Sequence, residues 1–340
     1  MNSSSLPGGS RVKRPTMVDV ARHAGVSLKT VSRVVNAEPT VNTELVDRVL
    51  ASVAALGFQR NQLASTLRAG RRTATVGLVI EELANPFYST IASVAAEVAA
   101  RHDTMLITAS SEEDPEAERR LVFDLCSRRV DGLLVVPAGA DHSFLRPEVE
   151  MGVQVVFLDR PSGGLPADTV LIDNRGGARE AVAALIAAGH RRIAVLLDSV
   201  AVYTMRERLE GVRDALEDAR LPPEVARIAE GVADPARAAE TVAGLLDGPN
   251  PPTAFFAVNN RITVGAVQEL WRRGSGAELV GFDDFELSHL MPRPLTVVAY
   301  DTAAMARRAT EMLFDRIRGD RSAPRTEVLG TRLVWRGVRR

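Results

Sequence analysis

The chain has 340 residues, 46% of them hydrophobic and 25% charged, with a net charge of −1. That is a globular composition, long enough for two domains or for a small domain joined to a two-lobed one. No run approaches the roughly 18 apolar residues of a membrane span, and the polar, basic start MNSSSLPGGSRVKRP lacks a signal peptide's apolar stretch, while the single cysteine, Cys126, fits a reducing cytoplasm and a buried role.

The charge is unevenly distributed. Residues 11–72 carry eleven Lys or Arg against four Asp or Glu, a balance of +7, and the rest of the chain stands at −8. A basic head on an acidic body points to a polyanion partner at one end only. Residues 1–15 form a basic tail, expected to be disordered.

TMVDVARHAGVSLKTVSRVVN follows, from Thr16. Thr16 is a good N-cap, Asp19 three residues on makes an acidic capping box, and Val20, Ala21 and Ala24 supply an apolar stripe. Gly25 permits a sharp turn, and Ser27 caps a second helix carrying Val31, Val34 and Val35. The Ala21–Gly25–Val31 spacing is that of a helix-turn-helix. In a major groove the second helix would offer Leu28 to a thymine methyl and Lys29 and Arg33 to guanine O6 and N7, with Ser27, Thr30 and Ser32 on phosphates. A third helix is expected from Asn42 to Leu56, with Leu45, Val49, Val53 and Leu56 inward, and Gly57 ending it. Residues 16–60 thus make the DNA-binding head. Residues 61–72 form a linker, helix-compatible from Asn61 to Leu67 and too short to persist alone, and are expected to order on DNA.

From residue 74 short apolar runs alternate with amphipathic stretches. The runs are ATVGLVI, TMLITA, GLLVVP, VQVVFL, TVLI, RIAVLL, TAFFAV and ELVGF; helices are predicted near 86–101, 115–128, 176–188, 204–219, 235–247, 261–273 and 302–318. Continuous apolar strands alternating with helices mean parallel α/β sheets covered on both faces, and ligands of such sheets bind beyond the strands' carboxyl ends. The residues found there are polar or aromatic: Asn85, Phe87 and Tyr88; Asp159 and Arg160; Asp173 and Asn174; Asn259 and Asn260; Asp283. Arg206 and Arg208 open the helix after RIAVLL. Carboxylates, amides, arginines and rings suit a small polyhydroxylated ligand. Asp173–Asn174 also reads as a helix start, adjacent Asp283 and Asp284 should point in different directions, and His190 is expected to cap a helix end. No histidine pair has metal-ligand spacing, so neither a metal nor a cofactor is expected.

The sequence resembles the LacI/GalR family of transcriptional regulators over essentially everything beyond the first fifteen residues. VDVARHAGVSLKTVSRVVN is close to that family's head signature, and NPFYSTIA, VDGLLVVP, FLDRP, IDNRGGA, GHRRIAVL, RERLEGVRDAL, VNNR and VGFDD resemble motifs of its effector domain. The resemblance implies a small all-α head followed by a two-lobed, periplasmic-binding-protein-like α/β body over 73–340. Lobe 1 is expected at about 73–172 and 302–328, lobe 2 at about 173–301 and 329–340. It implies DNA contacts at Thr16, Ser27, Leu28, Lys29, Thr30, Ser32, Arg33 and Asn36, and in a minor-groove hinge helix at Asn61, Ala64, Leu67 and Arg68, with Leu67 wedged into a base step. Effector contacts carry over to Phe87, Tyr88, Asp159, Arg208, Asn259 and Asp283. The chain departs from the family pattern at Arg60–Asn61 (usually Pro-Asn), Ala64–Ser65 (usually Ala-Arg) and Asn259–Asn260 (usually Asn-Asp).

The expected protein is a cytoplasmic, nucleoid-associated homodimeric repressor that binds a palindromic operator and responds to a small effector, a sugar. TRLVWRGVRR adds no leucine heptad, which favours a dimer over a tetramer. A sugar-binding transport receptor would explain the body without the head. An α/β enzyme would need a glycine-rich nucleotide loop, a Walker loop or a nucleophile elbow, and none occurs.

Overall fold

The computed structural model describes residues 15–35, 41–58, 72–291 and 294–336. They fall into two compact units divided at Thr73 and Ala74.

In the first unit, α1 (Met17–Ala24), α2 (Leu28–Val35) and α3 (Thr43–Leu56) surround a small core of Val20, Ala21, Ala24, Val31, Val34 and Val49. The α3 stripe differs by one position from the expected one. Val46 packs with Val53 and Leu56 against this core, while Leu45 stands at its edge. Spacings of three, four and three hold the stripe on one face, whereas a four-residue step back from Val49 lies slightly off it.

The second unit holds two six-stranded sheets. Its first sheet contains β1 (Thr75–Ile80), β2 (Met105–Ser110), β3 (Gly132–Val135), β4 (Gln154–Leu158), β5 (Asp168–Ile172) and, from near the C-terminus, β11 (Thr326–Leu329), in the order β11-β5-β4-β3-β1-β2. The other contains β6 (Ile193–Leu196), β7 (Ala226–Ala229), β8 (Ala254–Ala257), β9 (Glu278–Phe282), β10 (Leu295–Ala299) and β12 (Arg332–Arg336), ordered β12-β10-β9-β8-β6-β7. All neighbours run parallel except β10 and β12. The first five strands of each sheet therefore share one topology, with the strand order reversing between β1 and β3 and between β6 and β8.

Helices α4 (Pro86–Arg101), α5 (Pro115–Ser127), a short α6 (Arg146–Glu150), α7 (Asn174–Ala187), α8 (Tyr203–Asp218), α9 (Pro235–Leu246), α10 (Asn260–Arg272) and α11 (Thr302–Arg318) cover the sheets. Both faces being covered explains why β1, β3 and β8 are buried at every position. Phe157, Phe255, Phe256 and Phe282 are fully buried, each contributing roughly 2–3 kcal/mol of apolar burial. Cys126 is buried and free, and burial pushes its thiol up to about 12. No described helix is long and apolar enough to cross a membrane.

The eight apolar runs and seven predicted helices of the body all form. Four strands, β7, β10, β11 and β12, were not foreseen. Three lie at sheet edges and expose alternate or polar residues, which hides the apolar pattern. LTVVA of β10 is buried and apolar, and its run was legible. His190 corrects a different expectation. Its backbone N–H closes α7 on Leu185, but its ring caps nothing: Nδ1 lies 2.9 Å from Thr253 Oγ1 and Nε2 2.9 Å from Glu278 Oε2. Gly189 ahead of it has φ +95, which turns the chain away from the helix.

Helices α7 and α8 meet at Gly211, where an added Cβ would sit 2.2 Å from the carbonyl oxygen of Arg175. Gly211→Ala is expected to force these helices apart and destabilise the body by about 1–3 kcal/mol. Urea unfolding would read this as a lower midpoint at an unchanged slope.

Candidate functional site

The first unit presents one face suited to a duplex. Thr16 caps α1: its Oγ1 accepts from Asp19 N at 3.3 Å, and its backbone N–H donates to Asp19 Oδ2 at 2.9 Å. Gly25 takes φ +63 in the turn, a left-handed value that a side chain would strain. Arg48 of α3 locks that turn by donating through Nη2 to the carbonyls of Ala24, at 2.8 Å, and Gly25, at 3.1 Å. Sequence reasoning counted Arg48 only as surface charge.

Ser27 caps α2 by accepting from Thr30 N at 3.1 Å, and the two hydroxyls lie 2.9 Å apart. With Val31 and Val34 turned into the core, Leu28, Lys29 and Arg33 are exposed and Thr30 and Ser32 half-buried. Leu28 is 48% exposed, leaving apolar surface at the start of the helix. Asn36, Asn61, Ala64, Leu67 and Arg68 lie outside the described residues.

In the body, all six residues carried over as effector contacts, Phe87, Tyr88, Asp159, Arg208, Asn259 and Asp283, line one cavity of about 130 Å³. It lies beyond the carboxyl ends of both sheets, where parallel α/β folds bind ligands. Asp159 follows β4 and Asp283 follows β9, the fourth strand in each half of the repeated topology. Both adopt φ +69, a strained value for a non-glycine residue of the kind that gathers at ligand sites.

Arg208, 3% exposed, anchors the lobe-2 wall. Its Nε donates to Asn174 Oδ1 at 2.8 Å, Nη1 to the carbonyl of Val258, and both Nη atoms to Asp283 at 3.2 and 3.3 Å. The guanidinium lies 3.6 Å over the Phe282 ring, and Tyr300 Oη donates to Asp283 Oδ1 at 2.9 Å. Asp173 and Asn174 divide their two expected roles: Asp173 caps α7 at Gly176 N, and Asn174 orients Arg208. Asp284 points elsewhere, to Arg336 and Ser288, as the adjacency of the two acids predicted.

Arg160, 5% exposed, is the corresponding node of lobe 1. It donates to Glu113, to Glu81 Oε2 at 2.9 Å and to the carbonyl of Pro137 at 2.7 Å. Tyr88 Oη donates to the same Glu81 oxygen at 2.6 Å. Burial, with the hydrogen bond and charge of Glu113, raises the Glu81 carboxyl to about 7. Burial also pushes Asp159 up to about 6, against the pull of Arg160 and Arg208. Among the described residues, contacts across the cleft include Asn260 Nδ2 donating to Asn85 Oδ1 at 2.9 Å, Arg261 pairing with Glu82, and the Phe87 and Tyr300 rings meeting edge-on at 6.1 Å. The Asn259–Asn260 departure thus supplies a donor across the cleft, which Asp could supply only when protonated.

Several lining residues were missed. Glu81 and Asp198 immediately follow or nearly follow apolar runs, so the strand-end rule could have found both. Tyr300 follows β10 and was lost with it. Glu113 sits in a tight turn with φ +61, for which the sequence gives no strand-end signal.

Glu81 and Asp159 hold their protons more tightly than an unfolded chain would. The folded state therefore binds more protons between the ordinary carboxylate range and pH 7, and stability falls as pH rises through that window. Glu81→Gln is expected to raise the thermal midpoint at about pH 8 and flatten the fall from about pH 5; calorimetry across that range checks both.

Comparisons with known proteins agree with this geometry. Residues 16–61 match the family described as bacterial regulatory proteins, lacI family, and residues 73–332 match periplasmic binding proteins and sugar binding domain of LacI family. The chain is 30% identical to a ribose operon repressor of Haemophilus influenzae over 94% of this chain and 97% of that protein. The Lac repressor dimer bound to operator and an anti-inducer superposes with a TM-score of 0.82 at 27% identity, covering 95% of this chain and 98% of that one. A complex of the transcriptional regulator CelR with cellobiose gives 0.67 at 30% identity, covering 94% and 98%. With both segments matched and full-length relatives of this similarity, the chain belongs to the LacI family of bacterial regulatory proteins.

Proposed function

We propose that the protein is a dimeric transcriptional repressor, without catalytic activity, whose affinity for a palindromic operator is set by a sugar bound in the body's cleft. The observation that carries this is the pairing, in one chain, of an exposed polar α2 face with a cavity walled by two locked arginines and several carboxylates. The operator-bound Lac repressor dimer and the CelR–cellobiose complex, as relatives, support the same pairing of activities. A cytoplasmic location follows from a DNA partner.

In this reading residues 16–60 form the head, 61–72 the hinge and 73–340 the effector and dimerisation domain. Leu28, Lys29 and Arg33 read base edges, Thr16, Ser27, Thr30 and Ser32 hold phosphates, and Asn36 closes the set. Asn61, Ala64, Leu67 and Arg68 act in the hinge, with Leu67 unstacking the central base step. The sugar engages Arg208, Asp283, Asn259 and Asp159, with Phe87 and Tyr88 against its C–H faces. Binding changes the closure of the lobes and so the placement of the hinge. The coupling is reciprocal: operator binding changes sugar affinity by the same factor.

Binding to a palindromic duplex should weaken steeply with salt, as phosphate neutralisation requires. No affinity for duplex DNA at low salt, with or without sugars, would sink the regulator reading. Arg33→Ala is expected to weaken operator binding by about 1–3 kcal/mol and relax sequence preference at one position per half-site. Titrations against single-base operator variants measure this. Leu67→Ala is expected to weaken operator binding while the sugar-induced rise in the body's melting temperature persists; equal loss of both would remove the wedge role.

A further inference from the structure

The charges lining the cleft do not balance, and the imbalance bears on what enters it. Each of its three guanidinium groups already faces a carboxylate, two of them buried and the third, Arg261, partly exposed. Arg160 serves Glu81 and Glu113, Arg208 serves Asp283, and Arg261 serves Glu82. Two lining carboxylates remain, one from each lobe: Asp159 and Asp198.

Asp159 is 4% exposed, and among the described residues its carboxylate accepts no hydrogen bond. The nearest cationic atom, Arg160 Nε, is 3.6 Å away, beyond hydrogen-bond reach, and is itself buried without a hydrogen-bond partner. Asp198 follows β6 at the point where its sheet reverses direction, and accepts no hydrogen bond among the described residues either. Burial and the charges of Glu81 and Asp234 raise its carboxyl. For Asp159, burial without donors is costly, and a ligand that supplies donors relieves that cost; Asp198 is half-buried and faces the same cavity.

We propose that the effector is a polyol bearing no anionic group, whose hydroxyl or ammonium donors meet Asp159 from one lobe and Asp198 from the other. This rests on reading the cleft as the effector site and adds the chemistry that the site selects. An ionised carboxylate only accepts hydrogen bonds, so both positions require donors. A phosphate or carboxylate on the ligand would enter a lining of five carboxylates and three guanidinium groups that each already face a carboxylate, and would add a like charge beside Asp159 and Asp198. The carboxylates do not form a metal site: no group of three or more His, Cys, Asp or Glu among the described residues could hold an ion. An organic ligand with donors on both sides can meet the two carboxylates together.

The inference is tested on the full chain by thermal unfolding with three matched sets of ligands. These are neutral sugars (pentoses, hexoses and their disaccharides), the corresponding amino sugars, and the corresponding sugar phosphates and uronates. A neutral or amino sugar should raise the melting temperature, more strongly above pH 7 than at pH 5.5, because donors favour the ionised carboxylates. No anionic member should do so. Asp198→Asn should raise the half-saturating concentration about tenfold, the loss of a charge-assisted hydrogen bond. An anionic sugar that stabilises as well as its neutral parent overturns the proposal, as does an Asp198→Asn protein with unchanged affinity. A chain that binds operator and answers to no sugar of any charge refutes the sugar reading and this inference with it. Absence of DNA binding would refute only the regulator reading, since unfolding reads the cleft without DNA.

Discussion

The site depends on one geometric constraint, the common polarity of parallel strands. In each sheet of the body every strand but the antiparallel β12 ends on the same edge, so successive strand-to-helix turns deliver their first polar residues to one line. The repeated topology provides that line twice. Asp159 and Asp283 are its equivalent products, alike in strand position and in backbone conformation. A cavity bounded by both edges therefore collects acids, amides and helix N-termini without any single long-range interaction to place them.

Within the cavity, the cost of burying charge explains the arrangement. Arg160 and Arg208 each sit in a lobe wall, almost fully removed from water, and each is surrounded by acceptors from its own lobe. Burying an unpaired guanidinium would be prohibitive, so the two arginines are fixed by their partners before any ligand arrives. Such fixing organises the site in advance, because a ligand entering it need not order either side chain. The carboxylates are less evenly treated. Glu81, Glu113 and Asp283 receive donors, while Asp159 has only the ion pair with Arg160 at 3.6 Å, and burial raises its carboxyl. The cross-cleft contacts of Asn260 with Asn85 and Arg261 with Glu82 are polar, beside the ring contact of Phe87 with Tyr300.

Much of the architecture was legible in the sequence because it arises from neighbours. The Thr16 cap, the Gly25 turn and the Val31–Val34 stripe are set within a few residues, and buried parallel strands announce themselves as unbroken apolar runs. The same rule picked Asp159, Asn259 and Asp283 as strand-end residues and passed over Glu81 and Asp198, which satisfy it equally. Failures elsewhere were physical. Edge strands β7, β11 and β12 each expose part of their length, Ile228, Val328 and Trp335 included, so no unbroken buried run marks them, and Leu45 lost its place to Val46 because the partner helices, not α3 itself, choose the buried face.

By itself the sequence determined the helix-turn-helix, the alternating strands and helices, and the polar character of the strand ends, since period and capping are local. Only the tertiary structure decided which of those polar groups are already satisfied. Arg208 meets Asn174 across 34 positions and Asp283 across 75, and Arg160 meets Glu81 across 79. Pairings over such separations are set by the sheet order, which no window of sequence contains. Asp159 and Asp198, the lining carboxylates that accept no hydrogen bond among the described residues, are what those pairings leave over.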